Sequence, residues 1–279
     1  MATRTGTGPP APTGTGPLAP TGTGTAAPAA RKAGRSRLAR TVWLVAGGCW
    51  VVAAAATVSG ADGLGHHDLV LAGSTLAWPA RIAGFGLAWL VMIGAMMLPS
   101  TIPFLEAFWA VTRRRPGPGP ARVTLLVAYF GVWLGFAALA LAGDAVLHRV
   151  VDAWGWLADR PGLVLGATLV LAGGFQFSAL KKACLTGCRS PAGMLWQYYR
   201  PGLAGAWSLG LRHGLLCLGC CWALMLVMFA TGTGSLAWML LLTGVMVAEK
   251  TTSWGARLVT PTGVALLAGG AGIAAAALV

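Results

Sequence analysis

Long apolar stretches with few charges recur along the whole sequence and constrain its fold more than any other feature. Most are about one membrane thickness long when helical, and they cover residues 41–59, 82–104, 123–147, 163–180, 207–230, 235–248 and 262–279. Of the 279 residues, 56% are hydrophobic and only 10% are charged, whereas a soluble domain carries about 25% charged residues. The sequence therefore predicts an all-α, polytopic membrane bundle of about seven transmembrane helices.

The N-terminal segment differs in composition from the rest of the chain. Residues 1–40 are rich in Thr, Gly, Pro and Ala and end in a basic run, which is typical of disorder because such a segment has little to bury. Residues 41–279 are then the transmembrane domain. We interpret 41–59 as a retained helix, although a cleaved signal peptide is the alternative, since Ala and Ser residues precede Asp62.

The net charge of +13 comes from clusters of Lys and Arg between the apolar stretches. These clusters form no stripe with interleaved aromatic residues, which argues against nucleic-acid binding and favours topology signals and contacts with lipid headgroups. With the N-terminus in the cytoplasm, the inner segments carry 16 Lys and Arg, and the outer loops carry only Arg81, Arg149 and Arg160. The positive-inside rule thus predicts a multi-pass protein of the inner or plasma membrane, N-in and C-out.

The fifth apolar stretch concentrates side chains that bind soft metals. At 100° per residue, His213, Cys217, Cys220 and Cys221 fall within about 80° of one another on a helix, near the middle of the stretch. Cysteine also serves as a small apolar residue that fills gaps. Three cysteines in five positions, one turn beyond a histidine, favour a metal site over simple packing.

A second pair of cysteines follows the fourth stretch. Cys184 and Cys188 would share a face of a helix, while Gly187 and Pro191 indicate that any helix ends there. The pair supplies too few ligands for a zinc knuckle, but it could complete a site with the thiols of the fifth stretch. Since the segments on the opposite side lack cysteines, we expect reduced thiols or metal ligands rather than disulfides.

Methionines add further soft donors. At helical spacing Met92 and Met96 share one face, while Met97 points away from it. Packing of the core is the alternative role for each methionine. Thiolates together with thioethers select Cu(I) over hard ions, so copper(I) is the expected metal and zinc the second choice. The candidate relay residues are Met92, Met96, Met246 and Glu249.

Other parts of the chain carry weaker signals or none. His66-His67-Asp68 in the first outer loop could collect a divalent ion, but a solvated polar loop is the simpler interpretation. No phosphate-binding loop, dinucleotide fingerprint or catalytic serine elbow occurs in the sequence. Any transport must therefore be passive, coupled to an ion or driven by a partner.

Three motifs and a Glu-Lys pair occur together in the middle of the chain. They span Trp89–Ser100, Leu180–Pro191 and Cys217–Met225, followed by Glu249-Lys250. In this combination the chain resembles a bacterial family called "predicted metal-binding integral membrane protein", otherwise of unknown function, over about residues 85–250. The resemblance implies metal binding, and it does not extend to the N-terminal tail or to the Gly- and Ala-rich last stretch.

Together these patterns predict a membrane protein that transports or delivers copper(I). Its expected partners are lipid, the metal ion and a soluble metal-carrier protein. Two alternatives remain open, a membrane thiol–disulfide oxidoreductase and a scaffold whose cysteines only pack. The predicted core ligands are Cys217, Cys220 and Cys221, with Cys184 and Cys188 as acceptors on the cytoplasmic side and His213 as an additional ligand.

Overall fold

The structure, a computed structural model, describes residues 26–59, 77–231 and 235–279, and their side chains from residue 37 onward. Within these segments every regular element is a helix. A short 3-10 helix, Pro99–Thr101, joins α2 to α3. The helices are α1 (Ala26–Val58), α2 (Trp78–Met96), α3 (Ile102–Thr112), α4 (Pro118–Ala153), α5 (Gly155–Ala158), α6 (Pro161–Gln176), α7 (Ala179–Cys188), α8 (Pro191–Tyr198), α9 (Leu203–Ala230), α10 (Leu236–Thr251) and α11 (Gly255–Ala276).

Five of these helices are long and apolar enough to cross a membrane: α1 from residue 37, α2, α4, α9 and α11. The pair α6 and α7 meets the same criterion only when taken together, with a bend of 66° between the two helices. Helix α10 has 16 residues, which is short for a span. The described segments are thus compatible with a helical membrane bundle. They contain five or six candidate spans, whereas the sequence predicted about seven.

The first helix includes part of the segment that precedes residue 41. Helix α1 begins at Ala26, so residues 26–40, which the composition assigned to the tail, belong to the same helix as the first apolar stretch. Residues 1–25 lie outside the described segments. The same holds for His66-His67-Asp68, the weaker candidate site in the first outer loop.

Helix α9 lies at the centre of the structure. In its most apolar window 61% of the residues are buried, compared with 11–39% in the other four candidate spans. It packs against α4, α6 and α7. A Cβ added at Gly210 would collide with the backbone carbonyl of Leu125 on α4, so the missing side chain lets the two helices approach closely.

The last helix packs closely against α6, as the glycines and alanines of its sequence suggest. A Cβ on Gly166 of α6 would lie 2.8 Å from the carbonyl oxygen of Gly270 on α11. Two turns further along α6, Gly173 meets the backbone of α11 at Gly263 and Leu267 in the same way. Such contacts between small residues are the usual means by which apolar helices associate in lipid.

The bend between α6 and α7 is what brings the second cysteine pair to α9. Helix α6 ends at Gln176, and the Ser178 hydroxyl caps α7 by accepting a hydrogen bond of 3.0 Å from the backbone N–H of Lys181. The chain therefore starts a new helix in a new direction, and α7 packs against α9. Helix α10 also contacts both α7 and α9, which places its inner end beside the same thiols.

Candidate metal centre

The three cysteines of α9 are fully inside the protein. Cys217, Cys220 and Cys221 are each 1% exposed. The thiols of Cys220 and Cys221 turn back onto their own helix, where they lie 3.1 Å and 2.8 Å from the carbonyl oxygen of Cys217. All three sulfur atoms are thus held on one side of the central helix by local geometry.

Helix α7 adds a fourth thiol to this group. The Sγ atoms of Cys188 and Cys220 are 4.0 Å apart, and the Cys188 thiol also interacts with that of Cys217. Cys184 packs against α9 one turn away, where a Cβ added at Gly219 would lie 2.6 Å from its sulfur. Both predicted acceptor cysteines therefore face α9. We refer to Cys188, Cys217, Cys220 and Cys221 as the thiol cluster.

An ammonium group lies against one side of the thiol cluster. The Nζ atom of Lys250, near the end of α10, donates to the Sγ of Cys217 at 3.1 Å and lies 3.7 Å from the Sγ of Cys221. Its third contact is to the thioether sulfur of Met97 at 3.5 Å. Lys250 is buried, with only 8% of its surface exposed. The ammonium group is thus in contact with three sulfur atoms.

Met97 contacts the thiols, although the sequence analysis assigned it no role. Helix α2 ends at Met96, and Met97 follows it in helical conformation, with its backbone N–H bonded to the carbonyl oxygen of Ile93. Helical spacing therefore places Met97 on a different face from Met92 and Met96. Its thioether reaches Cys221 at an S–S distance of 3.9 Å, so the thiols are met from a face that the sequence analysis did not assign to the site.

Glu249, a predicted relay residue, is engaged in an ion pair. Its Oε2 atom accepts a hydrogen bond of 2.7 Å from Nζ of Lys181 on α7, and the two side chains are 2% and 1% exposed. Arg189, just beyond α7, donates to the backbone carbonyl of Glu249. The adjacent residues Glu249 and Lys250 thus hold α10 to α7 and to α9 respectively.

His213 packs between two aromatic rings, one of which contacts the thiol cluster. Its imidazole stacks on the ring of Phe104 with the centroids 3.9 Å apart and faces Tyr129 at 5.6 Å. The Tyr129 hydroxyl in turn lies 3.3 Å from the Sγ of Cys217. Neither ring nitrogen of His213 has a hydrogen-bond partner among the described residues, so this buried imidazole has free donor and acceptor capacity next to the thiols.

The three methionines predicted as relays lie in the same interior as the thiols. Met92, Met96 and Met246 are 4%, 0% and 0% exposed, and all belong to the buried core that contains the cysteines of α9. Within the described segments no three His, Cys, Asp or Glu side chains are arranged to hold a metal ion together. The site as it stands is a thiol cluster with an ammonium among its sulfur atoms.

Sequence reasoning assigned no role to Lys250, Lys181 or Tyr129. A signal for Lys250 and Lys181 exists, since each is an ionisable residue at the end of an apolar stretch, where charge is costly and often functional. Arg212, the cation inside the α9 sequence, lies instead on the exposed face of the helix, with its guanidinium 4.3 Å from the centre of the Tyr198 ring. Sequence spacing alone could not distinguish the buried Lys250 and Lys181 from the exposed Arg212, because the residues that contact them lie on other helices.

Comparison with known proteins supplies a family for this arrangement. The family model PpoB2, described as a copper chaperone, matches residues 86–273. The match contains every residue of the thiol cluster and Lys250, and it continues into α11, beyond the limit of about residue 250 that the motifs suggested. No curated protein and no solved structure matches the chain. Because the match covers more than half of the sequence, the chain belongs to the PpoB2 copper chaperone family.

Proposed function

We propose that this protein binds copper(I) at the thiol cluster inside a membrane and delivers it to an acceptor. The observation that carries the proposal is the meeting of thiols from two helices in a buried site, with the sulfur atoms of Cys188 and Cys220 4.0 Å apart. The family to which the chain belongs is described as a copper chaperone. The metal ion is the cargo in this function, not a permanent cofactor.

The geometry of the thiols fits a soft ion with few ligands. A metal about 2.3 Å from each of two thiolates can bridge sulfur atoms up to about 4.6 Å apart, and the separation of Cys188 and Cys220 lies within that limit. A structural zinc site needs four ligands in a tetrahedron, and the described side chains offer no such group. Thiolates with a nearby thioether, here Met97, favour copper(I) over zinc.

Delivery would proceed by exchange of ligands between neighbouring sulfur atoms. In this scheme Cys217, Cys220 and Cys221 offer thiols on α9, Cys188 and then Cys184 accept the ion on α7, and His213 serves as an additional ligand. With the N-terminus in the cytoplasm, α7 lies toward the cytoplasmic side, where a soluble metal carrier would dock. Met92, Met96 and Met246 are proposed as relays, whereas the ion pair of Glu249 with Lys181 gives that carboxylate a structural role.

The test is retention of copper by purified protein. The full chain is purified in detergent, loaded with copper(I) under reducing conditions and challenged with a weak chelator. Replacing both Cys188 and Cys220 by Ser should abolish retention while leaving helicity nearly unchanged, because Ser is close in size to Cys and can bond back to its own helix. Cys49→Ser on α1 is the matched control. Equal retention by the double variant and the wild type would refute the proposal.

A thiol–disulfide oxidoreductase is the second candidate, because Cys188 and Cys220 are close enough to pair after a small movement. All six cysteines are free thiols in the structure, and the predicted topology places them toward a reducing compartment. We therefore expect alkylation trapping in growing cells, followed by mass spectrometry, to find them reduced. A stable disulfide between Cys188 and α9 would instead support the oxidoreductase.

A further inference from the structure

Lys250 brings a positive charge into the protein, and no carboxylate among the described residues forms an ion pair with it. Among the described residues its ammonium contacts only sulfur, at Cys217, Cys221 and Met97. The carboxylate next in the chain, Glu249, is directed to Lys181 instead. A buried ammonium is strongly unfavourable unless an opposite charge lies nearby. The counter-charge of Lys250 therefore has to come from the thiol cluster.

We infer that Lys250 is the specificity-determining residue that makes the thiol cluster a site for monovalent soft cations. The inference rests on the proposed function and deepens it. An ion of charge +1 held by two thiolates forms a complex of charge −1, which the adjacent ammonium brings to zero. A divalent ion held by the same two thiolates is already neutral, and the ammonium then leaves one positive charge uncompensated. In a low-dielectric interior the neutral assembly is the stable one.

The position of the ammonium suits a counter-charge better than a ligand. Lys250 approaches from α10 on the side of Cys217 and Cys221, and the Cys188–Cys220 pair lies toward α7. Cys217 interacts with both groups, through its contact with Lys250 and through Cys188. The charge thus lies next to the thiols on α9, while the Cys188–Cys220 pair joins α7 to α9.

Removing the charge should reverse the preference of the site. Without Lys250, a monovalent ion with two thiolates leaves an uncompensated negative charge, while a divalent ion with two thiolates is neutral. One unit charge about 5 Å away, at the effective dielectric constant of a protein interior, changes an equilibrium on the order of a hundredfold. We expect this change in the ratio of monovalent to divalent ion bound.

The experiment compares two ions that need no redox control. Wild type, Lys250→Met, Lys250→Arg and the control Lys182→Met, whose side chain is exposed at the start of α7, are purified as full chains. Each is loaded with a mixture of Ag(I) and Cd(II), passed through a chelator and analysed for both metals. Wild type, Lys250→Arg and Lys182→Met should retain mainly Ag(I). Lys250→Met should shift the Ag(I) to Cd(II) ratio toward Cd(II) on the order of a hundredfold.

The outcomes separate this inference from the proposed function. An unchanged ratio in Lys250→Met, with Ag(I) still retained, overturns the role of Lys250 and leaves the soft-metal site standing. If the wild type retains neither ion, the proposed function fails and the inference fails with it. Should Lys250→Met not give a monodisperse, helical protein, the other variants decide: loss of the Ag(I) preference in folded Lys250→Arg, or equal retention of both ions by the wild type, refutes the inference.

Discussion

Cys184 and Cys188 lie one helical turn apart on α7, yet their surroundings differ. Cys188 has the Cys220 sulfur 4.0 Å away and interacts with Cys217 as well, whereas Cys184 packs against Gly219, where α9 has no side chain. Their i, i+4 spacing in the sequence gave both residues the same predicted role. The structure distinguishes them by the residues on the facing helix.

This difference predicts unequal effects of two identical substitutions. Cys188→Ser removes a sulfur within bridging distance of Cys220 and should weaken copper(I) binding by about tenfold or more, equivalent to about 1.4 kcal/mol. Cys184→Ser should have a smaller effect, because its sulfur is farther from the ion. Competition with a chromogenic copper(I) chelator measures both affinities. A larger loss of affinity in Cys184→Ser would place the ion closer to Cys184 than to Cys188 and contradict the prediction.

The ion pair of Lys181 with Glu249 should be important for stability. Lys181→Met leaves a buried carboxylate without its partner, and breaking a buried pair in this way costs about 3–5 kcal/mol. Adding Glu249→Gln removes the orphaned charge and should recover most of the loss. Unfolding in detergent, followed by circular dichroism, gives the comparison. The control Lys182→Met, at an exposed neighbouring position, should stay within about 0.5 kcal/mol of the wild type, and an equal loss there would contradict the prediction.

At the level of helices, the length and polarity of the apolar stretches predicted most of what the structure contains. Each of the seven stretches lies largely within a helix, because a run of apolar residues specifies a helix in lipid without reference to its neighbours. The ends of helices were harder to predict. The bend after Gln176 turned α7 back onto α9, and Met97 meets the thiols from a face of α2 other than that of Met92 and Met96. Both features depend on neighbouring helices, and so the contacts of Lys250 and Met97 with the thiols were not predictable from spacing.

The close approach of α4 and α9 gives a prediction at the same scale. Gly210→Ala places a methyl group against the backbone carbonyl of Leu125, which must separate the helices or strain them, at a cost of about 1–3 kcal/mol. Gly131 on α4 is the matched control, since a Cβ there meets nothing within 4 Å. Gly131→Ala should be neutral or stabilise the helix by up to about 1 kcal/mol. Unfolding in detergent checks both, and similar values for the two would argue against tight packing at Gly210.

For the molecule as a whole, the predicted orientation in the membrane would decide which compartment the thiol cluster serves under the proposed function. The predicted arrangement rests on 16 Lys and Arg in the inner segments against three in the outer loops. The three arginines Arg113, Arg114 and Arg115 follow α3 and are exposed, as expected of residues near lipid headgroups. The predicted orientation depends on the charges of all these segments together and not on any single helix.

Reporter fusions test the orientation. Fusions after Arg114 and after Arg189 should report the cytoplasm, and a fusion after Trp154, at the end of α4, should report the opposite side. The physical reason is that clusters of Lys and Arg resist transfer across the membrane during insertion. A cytoplasmic signal after Trp154 would reverse the arrangement and put α7 on the side where no cytoplasmic carrier could reach it.

The adjacency of Glu249 and Lys250 has a thermodynamic consequence. Glu249 forms an ion pair with Lys181 on α7, and Lys250 contacts the thiols. A shift of α10 that moves Lys250 away from the sulfur atoms therefore also strains the ion pair. Metal binding at the thiols and the strength of the ion pair between α10 and α7 are then linked. Linkage is reciprocal: whatever factor metal loading applies to the strength of the ion pair, breaking that pair must apply to the affinity for metal. A contact that includes none of the ligands would then set how readily the cargo is released.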